Sequence, residues 1–157
     1  MLDLMKRLQE EVGVGYLFIS HNLNVVKLMA DKVAVMYLGR FVEIGDVRTI
    51  FNGSAHPYTQ ALLSAILTTN PSARQKRIVL KGEIPSSLNP PSGCRFHPRC
   101  PEAKEICSEV EPEFLEIESG HLVACHFRHM KNILDEAGVE VTPSNEKEID
   151  QAFHLIE

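Results

Sequence analysis

Between Leu2 and Val12, the apolar residues Met5, Leu8 and Val12 share one helical face, with Lys6, Arg7, Gln9 and Glu10 largely off it. That spacing predicts an amphipathic helix, and Gly13 and Gly15 stop it because glycine readily adopts the left-handed cap. The run YLFIS, Tyr16 to Ser20, is short, apolar and rich in β-formers, which fits a buried strand. A helical pattern resumes through Leu23, Val26 and Met29, with Asn22 or Asn24 able to cap it. Two β-rich runs, VAVMYL and FVEIG, then flank Gly39-Arg40 and predict a hairpin with a two-residue turn. DVRTIFN follows as a short helix with Asp46 at its start and Gly53 past its end. HPYTQALLSAIL is a longer one, with Pro57 in the first turn, where proline is tolerated. The first 70 residues thus read as a mixed α/β unit.

After Leu67 the pattern changes. TTNPSARQKR reads as a polar linker, IVLKGEI as a strand and PSSLNPPSG as an extended, proline-rich segment. Six of the nine prolines lie between Pro71 and Pro101, disfavouring regular helix there, and a helix is expected from Pro101 to Cys107. The tail from Arg128 to Glu157 has seven acids against three bases and reads as peripheral helix. This gives three parts: 1–70, 71–127 with the cysteines, and an acidic tail 128–157.

Composition narrows the classes. Of the 157 residues, 44% are hydrophobic and 24% charged, which is globular rather than disordered. The net charge of −5 and the lack of any basic cluster longer than ARQKR argue against nucleic-acid binding. The amphipathic N-terminus lacks the apolar core of a signal peptide, and the longest apolar run, VAVMYL, is far short of the about 20 residues that cross a bilayer. A cytoplasmic location is therefore expected, and there clustered cysteines favour metal ligation over disulfides.

All four cysteines, Cys94, Cys100, Cys107 and Cys125, fall in one proline-rich stretch with spacings x5, x6 and x17. Four thiolates suit tetrahedral zinc or a 4Fe–4S cluster, and the longer spacings favour the larger object. Buried free thiols and disulfides in any of three connectivities are the alternatives. His97, His121 and His126 lie near enough in sequence to replace a thiolate in a zinc site, but read better as surrounding or surface residues. Metal binding would supply folding energy to a segment with few aromatics to bury.

YLFISHNLNVV, VAVMYLGRFVEIG, HPYTQALLSAI, KGEIPSSLNPPSGCRFHPRCPEA and HLVACHF resemble, in the same order, segments of the ATP-binding subunits of oligopeptide and dipeptide ABC transporters. The resemblance runs to about Phe127. It implies an α/β fold: the C-terminal portion of a P-loop NTPase nucleotide-binding domain followed by a small Cys-rich domain. It also points to a 4Fe–4S cluster on the four cysteines. The chain contains no G-x-x-x-x-G-K-[ST] string to cradle phosphates and no LSGGQ-like signature. ATP and Mg²⁺ are therefore expected only in a complete subunit, and this chain alone is not expected to hydrolyse ATP.

His21 matches the family's switch histidine, which contacts the γ-phosphate; the usual neighbour is Asp, whereas this chain has Asn22. A histidine at a strand's carboxyl end can hydrogen-bond a phosphoryl oxygen. The partners implied are permease subunits and a second nucleotide-binding subunit at the inner face of the membrane. If the YLFIS strand and the hairpin are left bare, their apolar faces make self-association the expectation. A stand-alone iron–sulfur or zinc module is the alternative reading.

Overall fold

The computed structural model describes residues 1–66 and 77–128; the linker and most of the acidic tail lie outside the described residues. The elements are helix α1 (Leu2–Val12), α2 (Leu23–Met29), strands β1 (Lys32–Tyr37) and β2 (Arg40–Asp46), α3 (Val47–Gly53), α4 (Pro57–Ser64), α5 (Ile106–Glu109), β3 (Phe114–Glu118) and β4 (His121–Ala124). A 3₁₀ turn at His97–Arg99 precedes α5.

The four strands form one antiparallel sheet in the order β1-β2-β4-β3, so each of two hairpins contributes a pair. The first hairpin forms as expected, but its turn is Leu38-Gly39 rather than Gly39-Arg40, because Tyr37 pairs with Arg40. Leu38 and Gly39 both have positive φ, 44° and 80°. That is the handedness by which a two-residue turn matches the strand twist. The second hairpin, β3–β4, is absent from the sequence reading. From Leu115 its strand Phe114–Glu118 alternates apolar and acidic residues, and Gly120 supplies the positive φ of the turn.

Other expectations are corrected. Tyr16–Ser20 is not a strand: no neighbouring strand lies beside it among the described residues, and Leu17 and Ile19 are over nine-tenths exposed. A β-rich run becomes a strand only when another backbone receives its hydrogen bonds. IVLKGEI is likewise irregular, although its Leu80 packs on the core. Helix does not fill Pro101–Cys107; the only α-helical turn there is α5. The N-terminal helices are nearer to prediction. Gly13, at φ 71°, caps α1 with its N–H on the Gln9 carbonyl, and the Asn22 side chain caps α2 by accepting from the Val25 N–H.

The core lies between the sheet and the cysteine segment. Tyr37, Val42 and Phe96 form its centre, with Val35, Leu38, Tyr58, Leu80, Cys94 and Cys100 packed around them. Phe96 is buried to 1% exposure and its ring lies edge-on to Tyr37, centroids 5.2 Å apart. Tyr58, from the first turn of α4, completes the aromatic group at 5.4 Å from Phe96 and 4.7 Å from Tyr37. Such edge and tilted contacts each add about 0.5–1.5 kcal/mol beyond the area they bury. The Phe96 side chain thereby ties the cysteine segment to β1 and α4.

Candidate functional site

The site grows from an irregularity in β2. Val35 pairs with Glu43 and Met36 pairs with Phe41, so Val42 is an extra residue bulged out of the ladder. A bulge breaks the strict alternation of side chains. Here it lets Val42 and Glu43, adjacent in sequence, both be buried, Glu43 to 0% exposure. A carboxylate in that position is tolerable only with hydrogen bonds to replace its water.

Three such bonds reach Glu43. The backbone N–H groups of Ala55 and His56 donate to it at 2.6 and 3.1 Å, and His121 Nε2 donates from β4 at 2.8 Å. The first two come from the turn entering α4, where backbone donors would otherwise lack partners. His56 is itself the helix cap: its Nδ1 accepts from the Tyr58 N–H at 3.1 Å. That acceptor role requires a neutral ring. Burial, reinforced by the Arg128 charge, lowers the His56 pKa to about 3. Arg128 closes the arrangement, with Nε donating to the Ala55 carbonyl at 2.8 Å and the guanidinium paired with Glu102. The His-Pro-Tyr-Thr stretch thus opens a helix whose first turn is fixed from three directions.

Beside this junction lies the thiol pocket. Cys94, Cys100, Cys107 and Cys125 all line one pocket of about 20 Å³, with His56 and Phe96 in the same wall. That space is about one water molecule's worth. The Cys94 N–H donates to the Cys107 carbonyl at 2.8 Å, holding the two segments together. Gly93 makes this approach feasible, since a Cβ there would sit 2.5 Å from the Cys107 carbonyl oxygen and its φ is +61°. Burial pushes the thiols up, Cys94 to about 11 and Cys100 to about 12, with Cys125 also raised.

Sequence reasoning assembled these four cysteines correctly in space but assigned them the wrong chemistry. Among the described residues, no group of three or more His, Cys, Asp or Glu side chains is arranged to hold a metal ion. The expected 4Fe–4S cluster, and zinc as its alternative, are therefore set aside. The histidines have other duties. His97 Nδ1 donates to the Cys94 carbonyl, His126 Nε2 to the Val110 carbonyl, and His121 is the buried partner of Glu43, neither surface nor ligand. His21 stands exposed at the bend before α2. Glu43 and Arg128 were missed, and His121 was named but not as the partner of Glu43. Alternation in VEIG points Glu43 to solvent, and only the bulge reverses that.

Two outcomes test this junction. Glu43→Ala leaves two backbone donors and His121 unpaired in the interior, and should cost about 3–5 kcal/mol in urea denaturation, with Glu43→Gln costing less. The second concerns pH. A histidine whose folded pKa lies near 3 and whose unfolded pKa is 6.5 binds its proton more readily when unfolded. Stability contributed by neutral His56 is therefore whole above 6.5 and is lost as pH falls towards 3, at up to about 1.4 kcal/mol per pH unit. His56→Asn, which keeps a cap acceptor, should flatten that slope in denaturation midpoints measured between pH 4 and 7.

The family model for the C-terminal region of oligopeptide/dipeptide transporters matches residues 42–107, which span the bulge, the His-Pro-Tyr-Thr helix and three of the cysteines. Among curated proteins, the oligopeptide transport ATP-binding protein AppF of Bacillus subtilis is 52% identical over 80% of this chain and 39% of its own length. The dipeptide transport ATP-binding protein DppF of Escherichia coli is 54% identical over 80% of this chain and 37% of its own. That of Haemophilus influenzae is 51% identical over 80% of this chain and 38% of its own. The chain thus spans about two-fifths of the length of the curated relatives it matches. On this evidence of sequence, residues 42–107 match the oligopeptide/dipeptide transporter C-terminal region, and the chain is similar to the C-terminal part of peptide-transport ATP-binding proteins.

Proposed function

We propose that this chain serves as the C-terminal part of the ATP-binding, energy-coupling subunit of a peptide importer. The observation that carries this is the identity above one-half to transport ATP-binding proteins over four-fifths of the chain. In that reading the subunit lies at the cytoplasmic face of the membrane, against permease subunits and a second nucleotide-binding subunit. The described residues contain no helix long and apolar enough to span a bilayer, so the membrane-crossing path would belong to those partners. The chain by itself lacks a phosphate cradle in its sequence and does not turn over ATP.

His21 is the residue proposed to meet nucleotide. It is exposed beside the bare Tyr16–Ser20 run, available to a surface that α1 and this run would help to build. An imidazole there would hydrogen-bond the γ-phosphate and stabilise charge during transfer, a task of positioning rather than covalent chemistry. Asn22 in place of the family's usual Asp removes one nearby charge, and its side chain instead caps α2.

The test is a chimera in which residues 1–128 replace the matching part of AppF. ATPase activity should be retained, and His21→Ala within it should lower kcat by about 10²–10³-fold. A chimera that folds yet shows no ATPase would sink the reading. The isolated chain should also self-associate, because α1 buries no residue and Leu17 and Ile19 are bare. Sedimentation at micromolar concentration should show species larger than a monomer; a monodisperse monomer would contradict it.

A further inference from the structure

We propose that Ser20 is a positioning residue for His21, setting the direction from which the imidazole meets the γ-phosphate. The inference rests on the reading of His21 as the nucleotide contact and deepens it. The geometry is local. Ser20 Oγ accepts the N–H of Asn22 at 3.0 Å, a bond that reaches across His21 from one side to the other. Such hydroxyl-to-backbone turns give an exposed chain a preferred shape where no helix or ladder supplies one. The backbone torsions enclosed by this bond are ψ of Ser20 and both φ and ψ of His21. They set where the Cα–Cβ bond of His21 points relative to the chain on each side.

Neither flank fixes those torsions. On the helix side, Asn22 caps α2: its Oδ1 accepts the Val25 N–H at 3.4 Å, and its carbonyl accepts those of Val25 and Val26, each at 3.1 Å. The backbone is held from Asn22 onward. On the other side the run Tyr16–Ser20 is exposed, with Leu17 and Ile19 over nine-tenths bare. A neighbouring surface that covers those side chains in a complete subunit would hold the run as far as Ser20. His21 lies between the two, exposed and at a bend outside any helix or strand. The Ser20 hydroxyl bridges that gap. A misplacement of about 1 Å in a group that acts on the transition state costs about 10²-fold in rate. One hydrogen bond between neutral groups is worth about tenfold at most, so losing it costs less than losing the imidazole.

The experiment measures steady-state ATPase of the AppF chimera with Ser20→Ala, Ser20→Thr, Ser20→Val, His21→Ala and the double variant Ser20→Ala with His21→Ala, each checked for folding by circular dichroism. Ser20→Ala should lower kcat by about tenfold and leave KM for ATP unchanged, as expected of an interaction made in the transition state. Ser20→Thr keeps the hydroxyl and should retain the kcat of the unsubstituted chimera, whereas its near-isostere Ser20→Val should match Ser20→Ala. The double variant should be no slower than His21→Ala, because a residue acting through the imidazole has nothing left to position. Full kcat in Ser20→Ala beside a slow His21→Ala would overturn the inference and leave the nucleotide reading intact. A double variant slower than His21→Ala would overturn it too, by marking a structural role. Unchanged kcat in His21→Ala, or a folded chimera without ATPase, would end the nucleotide reading and this inference with it. If Ser20→Ala does not fold, the Thr and Val pair decides.

Discussion

The carboxylate of Glu43 accepts hydrogen bonds from Ala55, His56 and His121, and in doing so joins three parts of the chain distant in sequence. It belongs to the first hairpin, its backbone donors open α4, and His121 starts the last strand. A buried carboxylate carries a desolvation cost of several kcal/mol, so its position is stable only while all of these donors remain in place. The dependence is mutual. The turn before α4 keeps its N–H groups satisfied only because Glu43 points inward, and Glu43 points inward only because Val42 bulges. The cross-strand contact of β2 with β4, limited to two residue pairs, is reinforced by the same carboxylate.

Phe96 does for the cysteine segment what Glu43 does for the strands. A stretch with many prolines and short helical turns buries little by regular packing, yet one aromatic side chain placed among Tyr37, Tyr58 and His56 anchors it. Cys94 and Cys100 belong to that apolar shell. Their raised pKa values follow from the same burial, and the thiols behave as small hydrophobic groups around a narrow pocket. His56 is common to both arrangements, as backbone donor to Glu43 and as ring neighbour of Phe96. A change at the pocket therefore has a short physical route to the start of α4.

The first thirty residues obey a different rule. Their helices are well capped, but neither α1 nor α2 buries a residue, and the run between them meets no sheet. The apolar content of this part is suited to a neighbouring surface, which is why the proposed nucleotide contact of His21 depends on further protein. The part from β1 onward, by contrast, has its own core and its own polar junction.

Local signals in the sequence determined the helices as far as α4, the caps of α1 and α2 and the first hairpin, because helical periodicity, Asn22, Gly13 and Pro57 act within a few residues of themselves. The gathering of cysteines was also legible, and so was the resemblance carried by the strings from YLFIS to HLVACHF. What the thiols do was not, since spacing counts ligands without saying whether their sulfurs are held as thiolates around a common centre. Strand identity at Tyr16–Ser20 and at 78–84 failed for a related reason: β-propensity describes a side chain's fit, while a strand exists only where a partner backbone lies alongside. Glu43 is the plainest case. In sequence it is one charged residue in an alternating run; tertiary structure made it the buried centre of the fold, because a one-residue bulge turns its side chain inward and residues far along the chain supply the hydrogen bonds that let it stay.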